Sequence, residues 1–175
     1  MRSLTWVAWT VNVRGLDTTF KLCCSMAVIP DFLPNGTLPA GIHNAGWSDI
    51  TARFGINPHR QRLLSGFQRA VGALTRAGCR VLYLDGSFVT TKPLPNDYDA
   101  CWEITGVRAA DVDPVFLDFG NERAAQKAKY FGEFFPAHAP ANLSPPLATF
   151  LNFFQADKAT GDPKGIIRLN LNGST

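Results

Sequence analysis

The order of elements along this chain predicts an α+β fold, α/β-like in character, with helices packed on a small mixed β-sheet. Three observations carry that expectation. Leu63, Leu64, Phe67, Val71 and Leu74 recur at helical spacing in one long stretch. Short apolar runs of strand composition come next at 80–86, 98–104 and 113–119, bounded by turn-forming residues. Two more helical stretches then precede a last apolar run at 164–171, and strands mixed with helices in this order suit a sheet covered by helices.

Taken in order, residues 1–25 differ from the remainder of the chain. The alternation in TWVAWTVNV could pair as a strand, but no helix comes after it that it would serve, so this segment reads as a poorly integrated extension. Met26 opens MAVIPDFLPNGTLPAGIH, a Pro/Gly-punctuated extended segment that reads as an independent start, and an over-long start-codon assignment would explain the mismatch. Residues 26–175 are expected to form a single domain.

SDITARFG is a short predicted helix with Ser48 as its cap. Asn57-Pro58 opens the long helix, because Asn satisfies exposed amides while Pro suits the first turn, and Gly78 closes it. RVLYLDG, YDACWEI and DPVFLDF are the three strand-like runs. Asn121 is placed to cap a helix through ERAAQKAKYFGEFF, and Ser144-Pro145 to open another through LATFLNFFQ. The Asp162-Pro163 turn leads into the closing strand, KGIIRLNL.

Composition narrows the function classes. A chain of 175 residues, 46% hydrophobic and 18% charged, is long enough to bury a core as one domain. A net charge of +3 is too small to hold nucleic acid by bulk electrostatics, though one local pocket for a polyanion is compatible with it. Cys23, Cys24, Cys79 and Cys101 form no CxxC pair and no metal-ligand rhythm with His43, His59 and His138, which favours reduced thiols in a cytoplasmic protein. Neither a signal peptide nor a membrane span of roughly 20 apolar residues is expected.

The stretch LDGSFVTTKPLPNDYDACWE holds the candidate site. In an extended segment Asp97 and Asp99 point the same way, and like charges so placed repel unless a cation lies between them. Mg²⁺, or Mn²⁺, answers that repulsion, since such ions take one or two carboxylates and complete their shell with substrate phosphate oxygens. Gly86 lets the backbone approach a ligand closely, and Ser87 adds a hydroxyl beside amides able to meet phosphate. The plain alternative is a solvated turn, because PLPNDYD is rich in residues that bond their own backbone. The phenylalanines at 131, 134, 135, 150, 153 and 154 are read as core residues of helices, and Cys101 as a small buried apolar residue.

A strand ending in Gly-Ser, then about ten residues later Asp-x-Asp on the next strand, resembles the signature of the nucleotidyltransferase (DNA polymerase beta-like) superfamily. More closely, TLPAGIHNAGW, RFGINPHRQRLL, DGSFVTTKPLPNDYDACWE, PVFLDFGNERAAQKAKYFGEFFP and FLNFFQADKATGDPKGI resemble a family of short bacterial proteins with a nucleotidyltransferase-like core, over Met26 to Leu171. The resemblance implies metal-dependent transfer from a nucleoside triphosphate to a hydroxyl of a protein, RNA or small molecule, in a bacterial stress, toxin-antitoxin or defence setting. It implies metal ligation by Asp97, Asp99 and a third carboxylate on a neighbouring strand, for which Asp118 is the first candidate and Glu103 the second. Gly86, Ser87 and Lys92 would hold the nucleotide. Many members carry an arginine soon after Gly-Ser, whereas here Lys92 is the first cation, with Lys127, Lys129, Arg60 and Arg62 as substitutes. A non-catalytic module of the same fold, binding a nucleotide or a protein partner, is the alternative.

Overall fold

The computed structural model describes residues 29–142 and 147–171. The expected N-terminal extension and the Ser144-Pro145 helix opening lie outside the described residues.

Five strands form one mixed sheet in the order β1-β5-β2-β3-β4. They are β1 (Gly41–Asn44), β2 (Val81–Asp85), β3 (Asp99–Trp102), β4 (Glu133–Pro136) and β5 (Gly165–Asn170). β2 runs antiparallel to both β3 and β5, while β1 is parallel to β5 and β4 is parallel to β3. The fold is of the α+β class, with α1 (Trp47–Phe54), α2 (Pro58–Ala77), α3 (Ala124–Tyr130) and the single turn α4 (Phe150–Phe153). Among the described residues no helix is long and apolar enough to cross a membrane.

The long helix forms as its caps demand. The Asn57 side chain accepts the Arg60 amide at 2.9 Å, and Gly78 ends the helix in a left-handed conformation at φ 99°. Leu63, Leu64, Phe67, Ala70, Leu74 and Ala77 form its buried face. In α1 the cap differs from the expectation of Ser48: Asp49 reaches back to the Gly46 amide at 2.8 Å.

Three other expectations are corrected. DPVFLDF is not a strand; Pro114–Leu117 is a short 3-10 helix begun by the Asp113 side chain on the Val115 amide. The helix expected through ERAAQKAKYFGEFF stops at Tyr130, where Phe131 turns left-handed, and Phe134 and Phe135 belong to β4. β1 is a strand within a segment expected to be merely extended.

Strand alternation divides the core between the two sheet faces. Leu82, Leu84, Ala100, Phe134, Ile167 and Leu169 pack with the buried faces of α1 and α2. Tyr83, Cys101, Phe135 and Ile166 face the other way and meet Phe150, Leu151 and Phe154.

One close approach fixes how α2 meets the end of α3. A Cβ on Gly66 would fall well inside contact distance of the Tyr130 carbonyl oxygen. Gly66→Ala is therefore expected to destabilise the fold by about 2–3 kcal/mol through overpacking, measured by urea denaturation.

Candidate functional site

Alternation places one set of polar residues at a single end of the second sheet face. Asp85 ends β2, Asp99 begins β3 directly opposite it, and Glu133 begins β4 opposite Asp99. Lys164 immediately precedes β5, which pairs with β2 at the same end. Asp97 precedes β3 in the connecting loop, near enough for its charge to act on Asp99. Asp85, Asp97 and Glu133 all lie close enough for their charges to act on Asp99.

Gly86 explains how tightly this end is built. Its φ is 80°, and a Cβ there would collide with the Asp99 carboxylate. Only glycine brings the β2 turn down onto that acid without strain. Ser87 comes next, half-buried in a short 3-10 turn, its carbonyl accepting the Thr90 hydroxyl at 2.7 Å.

The charges reflect this crowding. Burial, then the negative charges of Asp85, Asp97 and Glu133, push the Asp99 carboxyl up to about 7 despite the opposing pull of Lys164. Burial also raises Asp97, partly offset by Lys127. Asp85 is 2% exposed, and burial pushes its carboxyl up while Lys164 holds it back. The Lys164 ammonium donates to both Asp85 oxygens, at 2.7 and 2.6 Å. Lys127 bridges the other side, 2.6 Å from Glu133 and 3.9 Å from Asp97.

Arg123 reaches Glu133 at 3.4 Å and stacks over Phe135 at 4.1 Å. It is held there by a run of three left-handed residues, Asn121, Glu122 and Arg123, at φ 47°, 52° and 59°. Such conformations cost non-glycine residues roughly 1–2 kcal/mol each. One buried guanidinium N–H of this residue, Nε of Arg123, has no hydrogen-bond partner.

A cavity of about 660 Å³ opens over this sheet end, lined by Asp85, Gly86, Ser87, Asp99 and Lys164 on one side and by Asn152, Phe153 and Lys158 on the other. Phe153 is half exposed, unlike the core residue expected at that position.

The other sequence candidates are placed elsewhere. Asp118 is exposed at the end of the 3-10 helix, where its carboxylate accepts the Gly120 amide at 2.9 Å. The reason for its isolation from the apolar core is a turn, not a shared site. Glu103 sits past the far end of β3, taken up by Tyr83 and His138. Glu133 instead occupies the neighbouring strand, hidden from sequence reading inside a run of helical appearance.

Lys92 is exposed, and its charge acts on Asp97 rather than beside Gly86. Arg60 is buried and donates to the carbonyls of Phe54, Lys92 and Phe88, so it braces the loop after β2. Lys129 pairs with Asp113. The cation next to Gly86 is Lys164, in a DPKG segment whose only sequence signal is a lysine at the mouth of an apolar strand.

The titration of this cluster can be measured. A group with a raised folded pKa holds an extra proton in the folded state between its unfolded value, about 3.9, and about 7, so stability falls as pH rises through that window. With divalent ions chelated, Asp99→Asn should match wild type near pH 4 and exceed it near pH 8 by up to roughly 4 kcal/mol, read by urea denaturation at each pH. Lys164→Met leaves Asp85 buried without its cation and should destabilise by about 3 kcal/mol near pH 8, less near pH 5 where protonation relieves the charge, read as a Tm difference.

No curated protein and no solved structure matches the chain. A sequence family does, over residues 30–170, a span that takes in every described strand and every residue of the acidic sheet end. The chain belongs to that family, a family of unknown function designated DUF6932.

Proposed function

We propose that this protein transfers a nucleoside monophosphate from a nucleoside triphosphate to a hydroxyl group, with Asp97, Asp99 and Glu133 as its acidic centre. The observation that carries the reading is the packing of Gly86 against Asp99, with the charges of Asp97 and Glu133 close enough to act on it. That arrangement resembles the strand–Gly-Ser–strand–Asp-x-Asp pattern of the nucleotidyltransferase superfamily, with the third acid on the neighbouring strand.

The donor set fits a hard divalent cation such as Mg²⁺ or Mn²⁺. All its atoms are carboxylate oxygens, and their mutual repulsion is what an added cation relieves. Among the described residues no three such side chains form a ready metal cage. An ion that takes one or two carboxylates and fills its shell with phosphate oxygens needs none. When bound, it would neutralise phosphate charge and lower the pKa of a coordinated hydroxyl.

The chain's own residues supply the rest. The Gly86 backbone and Ser87 hydroxyl face the cavity where phosphates would lie, and Lys164 brings the positive charge that the missing arginine would otherwise provide. The acceptor oxygen forms a bond to the α-phosphorus, the bond from that phosphorus to the bridging oxygen breaks, and pyrophosphate leaves. The hydroxyl proton passes to a carboxylate of the cluster. Positioning and electrostatics supply most of the rate in such transfers.

A non-catalytic nucleotide-binding module is the second reading. It is favoured by Lys127, which already spans Asp97 and Glu133 and so quiets part of the acidic centre without any ion.

Mg²⁺ or Mn²⁺ with a nucleoside triphosphate should raise the Tm, and Asp97→Asn and Glu133→Gln should each remove most of that shift. Equal shifts in wild type and both variants would count against the site. Incubation with α-phosphate-labelled triphosphates and cell lysate separates the readings: an enzyme leaves label on an acceptor, whereas a binder gives the thermal shift and no labelled product.

A further inference from the structure

One face of α2 carries Arg62, Arg69 and Arg76, seven residues apart, so the three cations form a stripe that rises roughly 10 Å per step. All three are exposed. The Arg62 and Arg69 guanidiniums both stack on Phe131, at 4.8 and 4.9 Å from its centroid. Stacking fixes a guanidinium's plane while leaving N–H groups at its edge for an anion. Arg69 is further held by the carbonyls of Ser65 and Lys129. The guanidiniums of Arg62 and Arg76 donate a hydrogen bond to no described residue.

The stripe borders two grooves. One, of about 390 Å³, is lined by His59, Arg62, Asn96, Asp97, Lys127 and Phe131, and so opens onto the acidic centre itself. The other, of about 590 Å³, continues along α2 past Arg69, Gly72, Arg76 and Lys129. Two acids line it, but Asp113 is taken up by Lys129 and the Tyr130 hydroxyl, and Asp111 by Arg108. The unpaired charge that remains is positive.

Gly72 is an independent sign. Mid-helix glycine costs about 1 kcal/mol relative to alanine. Gly66 has a packing reason in the Tyr130 carbonyl, but a Cβ on Gly72 would meet only the Arg76 guanidinium, at 3.4 Å. Nothing among the described residues requires the bare backbone. What it does is keep the lining of the second groove low between Arg69 and Arg76.

We propose that the Arg62–Arg69–Arg76 track binds a single strand of nucleic acid through its phosphates and leads its terminal hydroxyl to Asp97. The role as acceptor rests on the transferase reading; the binding does not. Repeated phosphates match cations at regular intervals, and arginine suits them better than lysine. The small net charge is no obstacle, because the cations are gathered locally.

The test is fluorescence anisotropy of a labelled RNA of about 12 nucleotides, with divalent ions chelated, from about 50 to 200 mM salt. Wild type should bind more weakly as salt rises, and a DNA strand of the same sequence should bind within about threefold, since phosphates are read. Arg62→Gln and Arg76→Gln should each weaken binding about threefold to tenfold and lower the salt slope by about 0.7. Gly72→Leu should weaken binding while leaving the Tm equal or higher, which separates a blocked groove from a damaged fold.

Variants that bind like wild type, or affinity that ignores salt, would overturn the proposal. So would equal competition by a poly-glutamate peptide, which would mark a protein-docking surface instead. Binding without label transfer would sink the proposed enzyme and leave this surface standing; label transfer without strand binding would do the reverse.

Discussion

Asp99 is squeezed between a backbone and three like charges, and most of the second sheet face is arranged around that fact. A buried carboxylate is tolerated only where something compensates it. Here Asp85, Asp97 and Glu133 make matters worse, and Lys164 alone among its close influences makes them better. A fold tuned for stability would replace Asp99 with an apolar residue to match Cys101 and Phe135 on the same face. An acid packed against Gly86 at this position costs the fold stability, which is the motive for reading it as a site in the proposed function.

The cations around the centre are supplied by three separate segments. Lys164 comes from the mouth of the last strand, Lys127 from α3, and Arg123 from the left-handed turn before it. Between them they reach Asp85, Asp97 and Glu133, so these acids are already partly neutralised within the fold. Under the proposed function an incoming cation would have to compete with Lys127 for Asp97 and Glu133, and an incoming phosphate would find Lys164 already at the cavity wall. In the proposed transferase an ion carried by a triphosphate would therefore be favoured over a bare ion, since only the complex would offer replacements for both partners.

Legibility in the sequence tracked length and locality. β2, β3 and β5 were readable because apolar runs flanked by turns are local signals, and α2 because its caps and periodicity agree. β1 and β4 were not: both are four-residue edge strands, too short for alternation to register, and Phe134 and Phe135 sat at spacing that also fits a helix. Asp97 and Asp99 were visible because they lie two apart on one segment. Glu133 and Lys164 were not, since only the pairing of β4 with β3 and of β5 with β2 brings them there. Asp118 misled for the opposite reason, its apolar neighbours lending it a strand it does not have.

The pairing order has a temporal side. β5 is the last of the five strands to be made, yet it lies inside the sheet, separating β1 from β2. Until it is inserted, the first strand has no neighbour among the described residues and the Asp85 carboxylate lacks the Lys164 ammonium. During synthesis the ribosome must therefore release the chain through β5 before either can be satisfied, and contacts between distant segments are slow to form. An emerging fragment would carry Asp97, Asp99 and Glu133 on segments able to pair early, but the Asp85–Lys164 ion pair comes into being only when the sheet closes around its final strand.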